Sequence, residues 1–231
     1  MLTDRQKILL DALINRYVKT GEPVGSEQIV LKYHLRVSSA TVRNEMLELD
    51  ELGYLEKPHT SSGRVPTEMA YTYYVEEHIK NPCLAPRYKE RISAIVQKNE
   101  RDRSRETVKA VCRSVADISR EFILTAFADN DFYYTGLSNL FSKPECARAE
   151  MMRDLSATID AFDTTLKKFY RVIPETTHIL IGSQNPIGQE LSLITVRIGN
   201  NGPVLALLGP MRMRYDVNIA LLEHCRSLFI N

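Results

Sequence analysis

Apolar positions in the first 80 residues form short helical stripes separated by polar turns. Thr3 followed by Gln6 is a capping-box pattern, and Ile8, Leu9, Ala12, Leu13, Tyr17 and Val18 then recur at helical spacing up to Gly21, a C-terminal stop. Glu22-Pro23-Val24-Gly25 reads as a connector. Ser26 then caps a short helix that turns Ile29, Val30, Tyr33 and Leu35 inward and ends near His34. A turn at Arg36-Val37-Ser38-Ser39 leads to a third helix, in which Val42, Met46, Leu49 and Leu52 repeat on one face before Gly53. The period then changes. Tyr54-Leu55-Glu56-Lys57 is strand-like, Pro58 to Gly63 is turn-rich, and Arg64-Val65-Pro66 is a return strand, after which Thr67 caps a fourth helix carrying Met69, Tyr73, Tyr74 and Ile79. Helix, short helix, tight turn, helix and hairpin is the order of a winged helix-turn-helix.

The stretch from Asn81 to Pro86, with two prolines, breaks that pattern, so a domain is expected over 1–80, a linker over 81–86 and a second domain over 87–231. Beyond the linker the pattern predicts helices near 86–100 and 104–119, a strand at Phe122–Ala128 and a long helix at 145–170. Strands at 178–181, 191–198 and 204–208 and a closing helix at 216–229 complete it. Strands interleaved with helices after a helical head make the chain α+β.

Composition narrows the function classes. With 44% hydrophobic and 26% charged residues among 231, and no apolar run of the roughly 18 to 20 residues a membrane span needs, a soluble cytoplasmic protein is expected, without a membrane partner. Asp4 and Arg5 stand where a signal peptide would be building its apolar stretch. Cys83, Cys112, Cys146 and Cys225 are scattered, with no pair at metal-binding or disulfide-framework spacing, and read as reduced thiols. Charge is less helpful. The chain carries a net +1, but residues 1–80 hold 10 Lys/Arg against 12 Asp/Glu, so a nucleic-acid partner must be argued from where the charges lie.

In a helix-turn-helix the second helix of the motif enters the major groove by its N-terminal end, which here presents Ser38, Ser39, Thr41, Arg43 and Asn44. Arg43 suits bidentate pairing with guanine, the hydroxyls suit base edges or phosphate, and Val42 reads as core. Glu45, Glu48, Asp50 and Glu51 fall farther along the helix, away from the groove floor and partly facing solvent. In the wing, Lys57, His59 and Arg64 bracket Thr60, Ser61, Ser62 and Gly63, a composition that lets backbone N–H groups approach phosphates while Arg64 reaches phosphate or the minor groove. Tyr73 and Tyr74 read as core, and Tyr71 is open to either role.

Other clusters carry less. The basic run of Arg87, Lys89, Arg91, Lys98, Arg101, Arg103, Arg105, Lys109 and Arg113 is interspersed with Glu90, Glu100, Asp102 and Glu106, and so reads as a solvated helical face before a second DNA surface. Asp129 and Asp131, with Asp154 or Asp160, lack an accompanying histidine or nucleophile. No catalytic constellation, cofactor motif or metal site is read from the chain.

The segments Gly21 to Ser26, Ser38 to Met46 and Leu52 to Pro66 are closely similar to the HrcA family of bacterial heat-inducible transcription repressors. Gly136-Leu137-Ser138-Asn139-Leu140, Ile181 to Asn185 and Leu208 to Tyr215 resemble the same family in the second domain. The resemblance implies a winged helix-turn-helix followed by a reduced GAF-like α/β domain for regulation or dimerisation. It also implies repression of chaperone operons through an inverted-repeat operator of the CIRCE type, a homodimer, and GroE chaperonin as a helper. The chain departs from the family after Ala128. The strand there runs almost directly into Phe132-Tyr133-Tyr134, where a usual member has a long segment, so the dimerising insertion and part of the GAF-like sheet are missing. Two alternatives stand beside this reading: a ligand-sensing regulator using the GAF-like remnant, and a winged helix used for protein–protein contact. Arg43 and Arg64 discriminate the latter, since an exposed positive face favours DNA and intramolecular ion pairs favour contact.

Overall fold

The structure is a computed structural model that describes residues 2–33, 37–58, 63–78, 82–98, 104–128, 131–146, 173–199 and 202–229. Contacts divide the chain into two compact units, Met1–Lys80 and Asn81–Asn231.

The first unit begins with α1, Asp4–Thr20, which is fastened at both ends. Thr3 Oγ1 accepts from the Gln6 backbone N–H while the Gln6 side chain bonds back to the Thr3 N–H, and Gly21 in the left-handed conformation donates to the Tyr17 carbonyl. α2 spans Ser26–Tyr33 and α3 Ser39–Glu51, with β1 at Leu55–Glu56, β2 at Val65–Pro66 and α4 at Glu68–His78. The core is built from Leu9, Leu10, Leu13 and Ile14 of α1, Ile29 of α2, Val42, Met46 and Leu49 of α3, and Ala70 and Tyr71 of α4. Tyr71 is therefore core. Tyr73 and Tyr74 are half-buried, Tyr73 edge-on to Tyr54 and Tyr74 with its hydroxyl on Asn15.

Three expected core positions are exposed: Ile8, Leu52 and Met69. On α1 the buried stripe is centred on the 9/13 and 10/14 pairs, which turns Ile8 to the opposite side. Leu52 is the C-cap of α3, where the chain is already leaving the helical face. Leu35, His34, Arg36 and Ile79 lie outside the described residues, as does the side chain of Tyr33.

In the second unit, α5 spans Pro86–Lys98 and α6 Arg105–Ser119, the latter capped by Ser104, whose hydroxyl accepts from the Thr107 N–H. The strands are β3 (Phe122–Ala128), β4 (Asp131–Thr135), β5 (His178–Ile181), β6 (Leu191–Arg197) and β7 (Val204–Pro210). They form one sheet in the order β4-β3-β7-β6-β5, antiparallel at every pairing. A short helix α7, Leu137–Phe141, follows β4, and α8, Tyr215–Phe229, closes the described chain.

β3 and β4 are direct hairpin neighbours, Ala128 opposite Asp131, where the sequence passes straight from one to the other. Side chains alternate across the sheet. Phe122, Leu124, Leu193, Ala206 and Leu208 form one apolar face with Leu140 and Cys146, while α6 and α8 lie against β3 and β6. An antiparallel sheet with packed helices is an α+β arrangement. Strand β4 and helix α7 are additions to the pattern read from sequence, and the helix expected over 145–170 lies outside the described residues beyond Cys146. Among the described residues no helix is long and apolar enough to cross a membrane.

Of the seven described basic residues in the run at 87–113, three are ion-paired. Arg91 meets Asp117 at 2.7 Å and Lys109 meets Glu106 at 2.8 Å; Arg105 pairs with Asp131. Arg87, Lys89, Arg91 and Lys98 are exposed on α5, with Ile92 and Val96 on its buried side, and of the acids interspersed in the run Glu106 is the one seen in an ion pair among the described residues. Asp131 is thereby accounted for, and Asp129, Asp154 and Asp160 lie outside the described residues.

Candidate nucleic-acid interface

α3 starts as its sequence dictates. Ser38 is extended (φ −71°, ψ 156°), and its Oγ accepts from the Thr41 backbone N–H at 3.1 Å while lying 2.9 Å from Thr41 Oγ1. Both hydroxyls are thus engaged in the cap and present their remaining hydrogen-bonding capacity outward. Val42 is fully buried, which orients the helix. Ala40, Arg43, Asn44, Leu47, Glu48 and Glu51 fall on the exposed side, and Ser39 and Thr41 are half-exposed. Arg43 makes no ion pair among the described residues and is exposed.

Among the acids of α3, Glu48 and Glu51 face solvent as expected and Asp50 is half-exposed, whereas Glu45 departs from expectation. Glu45 is buried and pairs with Arg5, Glu48 accepts from Gln6 Nε2 at 2.9 Å, and Asp50 Oδ2 lies 2.7 Å from Arg64 Nε. Two of the four therefore fasten α3 to the start of α1, and a third holds the wing. Part of the unit's excess of acid is thereby engaged by partners within the unit, which lessens its opposition to a polyanion.

The hairpin is minimal, Leu55 opposite Pro66 and Glu56 opposite Val65. It gains a third member that the sequence hid in a connector. Val24 bridges Arg64 in antiparallel fashion through two backbone hydrogen bonds of 2.9 Å. Thr67 ties the return strand to the end of α3, its hydroxyl donating to the Gly53 carbonyl at 2.6 Å. Gly63 is buried against Pro23, and a Cβ there would meet the Pro23 carbonyl carbon at 2.8 Å and its Cβ at 2.9 Å. Backbone does not yield cheaply, so Gly63→Ala is expected to destabilise this unit by about 1–3 kcal/mol. A thermal melt of the variant unchanged from wild type would refute that packing.

Lys57 is exposed, while His59, Thr60, Ser61 and Ser62 lie outside the described residues. Arg64, expected to reach phosphate or the minor groove, has a side chain only 12% exposed in its pair with Asp50. The two discriminating arginines thus divide, Arg43 outward and Arg64 inward. Arg43, Lys57 and Arg64 nevertheless line one cleft of about 550 Å³, shared with Met46 and Leu47 of α3 and with Gly25 to Gln28 at the start of α2. Gln28 and Leu47 were missed by sequence reasoning. An exposed glutamine on the preceding helix carries no motif, and an exposed leucine at 44% exposure is indistinguishable in sequence from a core residue.

A capped helix offering an arginine and an asparagine beside a two-stranded wing defines a winged helix-turn-helix protein of the DNA-binding class. The family described as "Winged helix-turn-helix transcription repressor, HrcA DNA-binding" matches residues 1–80, and "HrcA protein C terminal domain" matches residues 64–219. The chain belongs to the HrcA family, whose members are transcription repressors rather than enzymes.

A heat-inducible transcription repressor HrcA of Symbiobacterium thermophilum is 48% identical over 102 residues, covering 44% of this chain and 30% of the relative. The HrcA of Clostridium botulinum is 52% identical over 85 residues, 37% and 25% of the two chains. That of Caldanaerobacter subterraneus subsp. tengcongensis is 41% identical over 121 residues, 51% and 34%. The matched stretches thus span about a quarter to a third of the length of these relatives. A crystal structure described as a hypothetical protein at 2.2 Å resolution shares the fold, with a TM-score of 0.73 over 99% of this chain and 100% of that one, at 15% identity.

Proposed function

We propose that this chain is a sequence-specific DNA-binding repressor of heat-shock (chaperone) operons that reads an inverted-repeat operator of the CIRCE type. The observation that carries the reading is the first turn and a half of α3, where a capped helix end sets Arg43 and Asn44 outward on a rigid core. Ser38, Ser39 and Thr41 supply hydroxyls to base edges or phosphate. Lys57 and the wing loop of His59, Thr60, Ser61, Ser62 and Gly63 lie along the backbone. A two-fold operator is read by a two-fold protein, so the active species is a cytoplasmic homodimer. GroE chaperonin assists it as the family resemblance implies.

Fluorescence anisotropy of a labelled duplex carrying the inverted repeat, against a scrambled duplex and over a range of salt, tests the reading. Tight, salt-sensitive binding that prefers the repeat by about a thousandfold or more is the expected outcome. Equal, weak binding to both duplexes would reject operator recognition. The inward pairing of Arg64 favours one rival, a winged helix that contacts protein. That rival predicts no preference between the duplexes at any salt.

A further inference from the structure

Arg64 stands where three fastenings meet. Its backbone N–H and C=O are both bonded to Val24 at 2.9 Å, and the preceding Gly63 sits on Pro23 with no room for a Cβ. Its side chain crosses to α3, where Nε lies 2.7 Å from Asp50 Oδ2. The strand root cannot slide along Val24 without breaking the bridge. The guanidinium cannot swing toward a phosphate without leaving Asp50, whose side chain is 32% exposed, as an unpaired carboxylate facing the same polyanion. An arginine tied by its backbone to Val24 and by an ion pair to Asp50, with a side chain only 12% exposed, is poorly placed to exchange partners and well placed to hold something still.

We infer that Arg64 is a positioning residue for DNA recognition, and that Asp50 is its partner in that role. The pair fixes the angle between the wing and α3, so that Lys57, carried by the hairpin, and Arg43, carried by the helix, open onto the same cleft. Residues that contact a ligand are effective only when a second layer locks their supports. The inference rests on the proposed DNA-reading function and adds to it two residues that act without touching DNA.

The sign of one substitution separates this role from direct contact. If Arg64 were a phosphate ligand restrained by Asp50, Asp50→Ala would free the guanidinium and remove a repulsive charge, so affinity would rise. In that case Arg64→Ala would also flatten the slope of log K against log salt by about 0.9 per bound protomer. If the pair positions the wing, Asp50→Ala and Arg64→Ala each weaken operator binding by about tenfold, the double variant is no weaker than either single one, and the salt slope is unchanged.

The experiment is anisotropy on the inverted-repeat duplex with the full chain, with thermal melts of each variant alongside. Asp50→Asn and Arg64→Lys serve as milder changes should an alanine variant fail to fold, and are expected to show the same sign in smaller measure. The exchanged pair, Asp50→Arg with Arg64→Asp, is expected to recover at least half of the lost binding free energy on a log scale. Tighter binding by the Asp50 variants, or a flattened slope for the Arg64 variants, overturns the positioning role while leaving the proposed function intact. Failure of the wild-type chain to prefer the repeat overturns both.

Discussion

Arg43→Ala is expected to abolish most of the discrimination between operator and scrambled duplex while leaving the fold untouched. The residue sits five positions past the Ser38 cap, about 7 Å along the helix axis, within the part of a recognition helix that reaches base edges. It is exposed and free of ion pairs among the described residues, so its removal leaves no carboxylate stranded and no cavity. A bidentate arginine–guanine contact contributes about 1–3 kcal/mol of discrimination. A dimer on an inverted repeat makes the contact twice, so the total is about 2–6 kcal/mol, roughly 30-fold to more than ten-thousandfold in affinity for the operator.

The scrambled duplex should lose little. Lys57→Ala, removing a compact charge on the wing, should instead weaken both duplexes alike and flatten the salt slope by about 0.9 per protomer. Should Arg43→Ala weaken both duplexes equally, Arg43 is a phosphate contact and the base reading must come from Asn44 or from Gln28 of α2. No change on either duplex would mean that the front of α3 does not enter the groove.

What could be read from the sequence was what neighbouring residues decide among themselves. The Thr3/Gln6 capping box, the Gly21 stop and the buried stripe of Val42, Met46 and Leu49 are consequences of helix geometry, and each is present in the structure. Partnerships across the chain were not legible. Nothing near Arg64 in sequence announces Asp50, and nothing in Glu22-Pro23-Val24-Gly25 announces that Val24 completes the wing sheet, because both depend on how α3 and the hairpin pack.

Glu45 reads as a partly solvent-facing acid because helix position is legible and the neighbouring α1, which buries it against Arg5, is not. In the second unit β4 escaped notice as a short edge strand whose five residues are all partly exposed, which leaves no clean alternation to detect. Glu121, just past the end of α6, carries no sequence signal of burial and is among the most buried charged groups described.

That burial has a measurable consequence, opposite in sign to the usual carboxylate. The Glu121 side chain is 3% exposed. Oε1 accepts from Lys143 Nζ at 3.1 Å, while Oε2 has no hydrogen-bond partner among the described residues and occupies the space a side chain at Gly209 would need. Loss of hydration pushes its pKa up to about 7. Lys143 opposes the shift most strongly, followed by Arg212 and Arg214, but Arg212 is itself paired with Glu145.

Because the folded pKa lies above the ordinary 4.5, the folded form holds a proton that the unfolded chain releases. The stabilisation is therefore complete below about pH 4.5 and is lost as pH rises through about 7. Its size is on the order of 3 kcal/mol. Glu121→Gln keeps the shape without the ionisation. Its stability relative to wild type should rise between pH 5 and pH 8 by about that amount, measured by urea denaturation at the two pH values. Lys143, whose side chain is 22% exposed, can turn to solvent in the variant and adds little penalty. A variant less stable than wild type by the same margin at both pH values would mean that Glu121 stays ionised throughout and that its bond to Lys143 outweighs the lost hydration. The buried carboxylate beside Gly209 would then be a structural tie, not a proton-sensitive one.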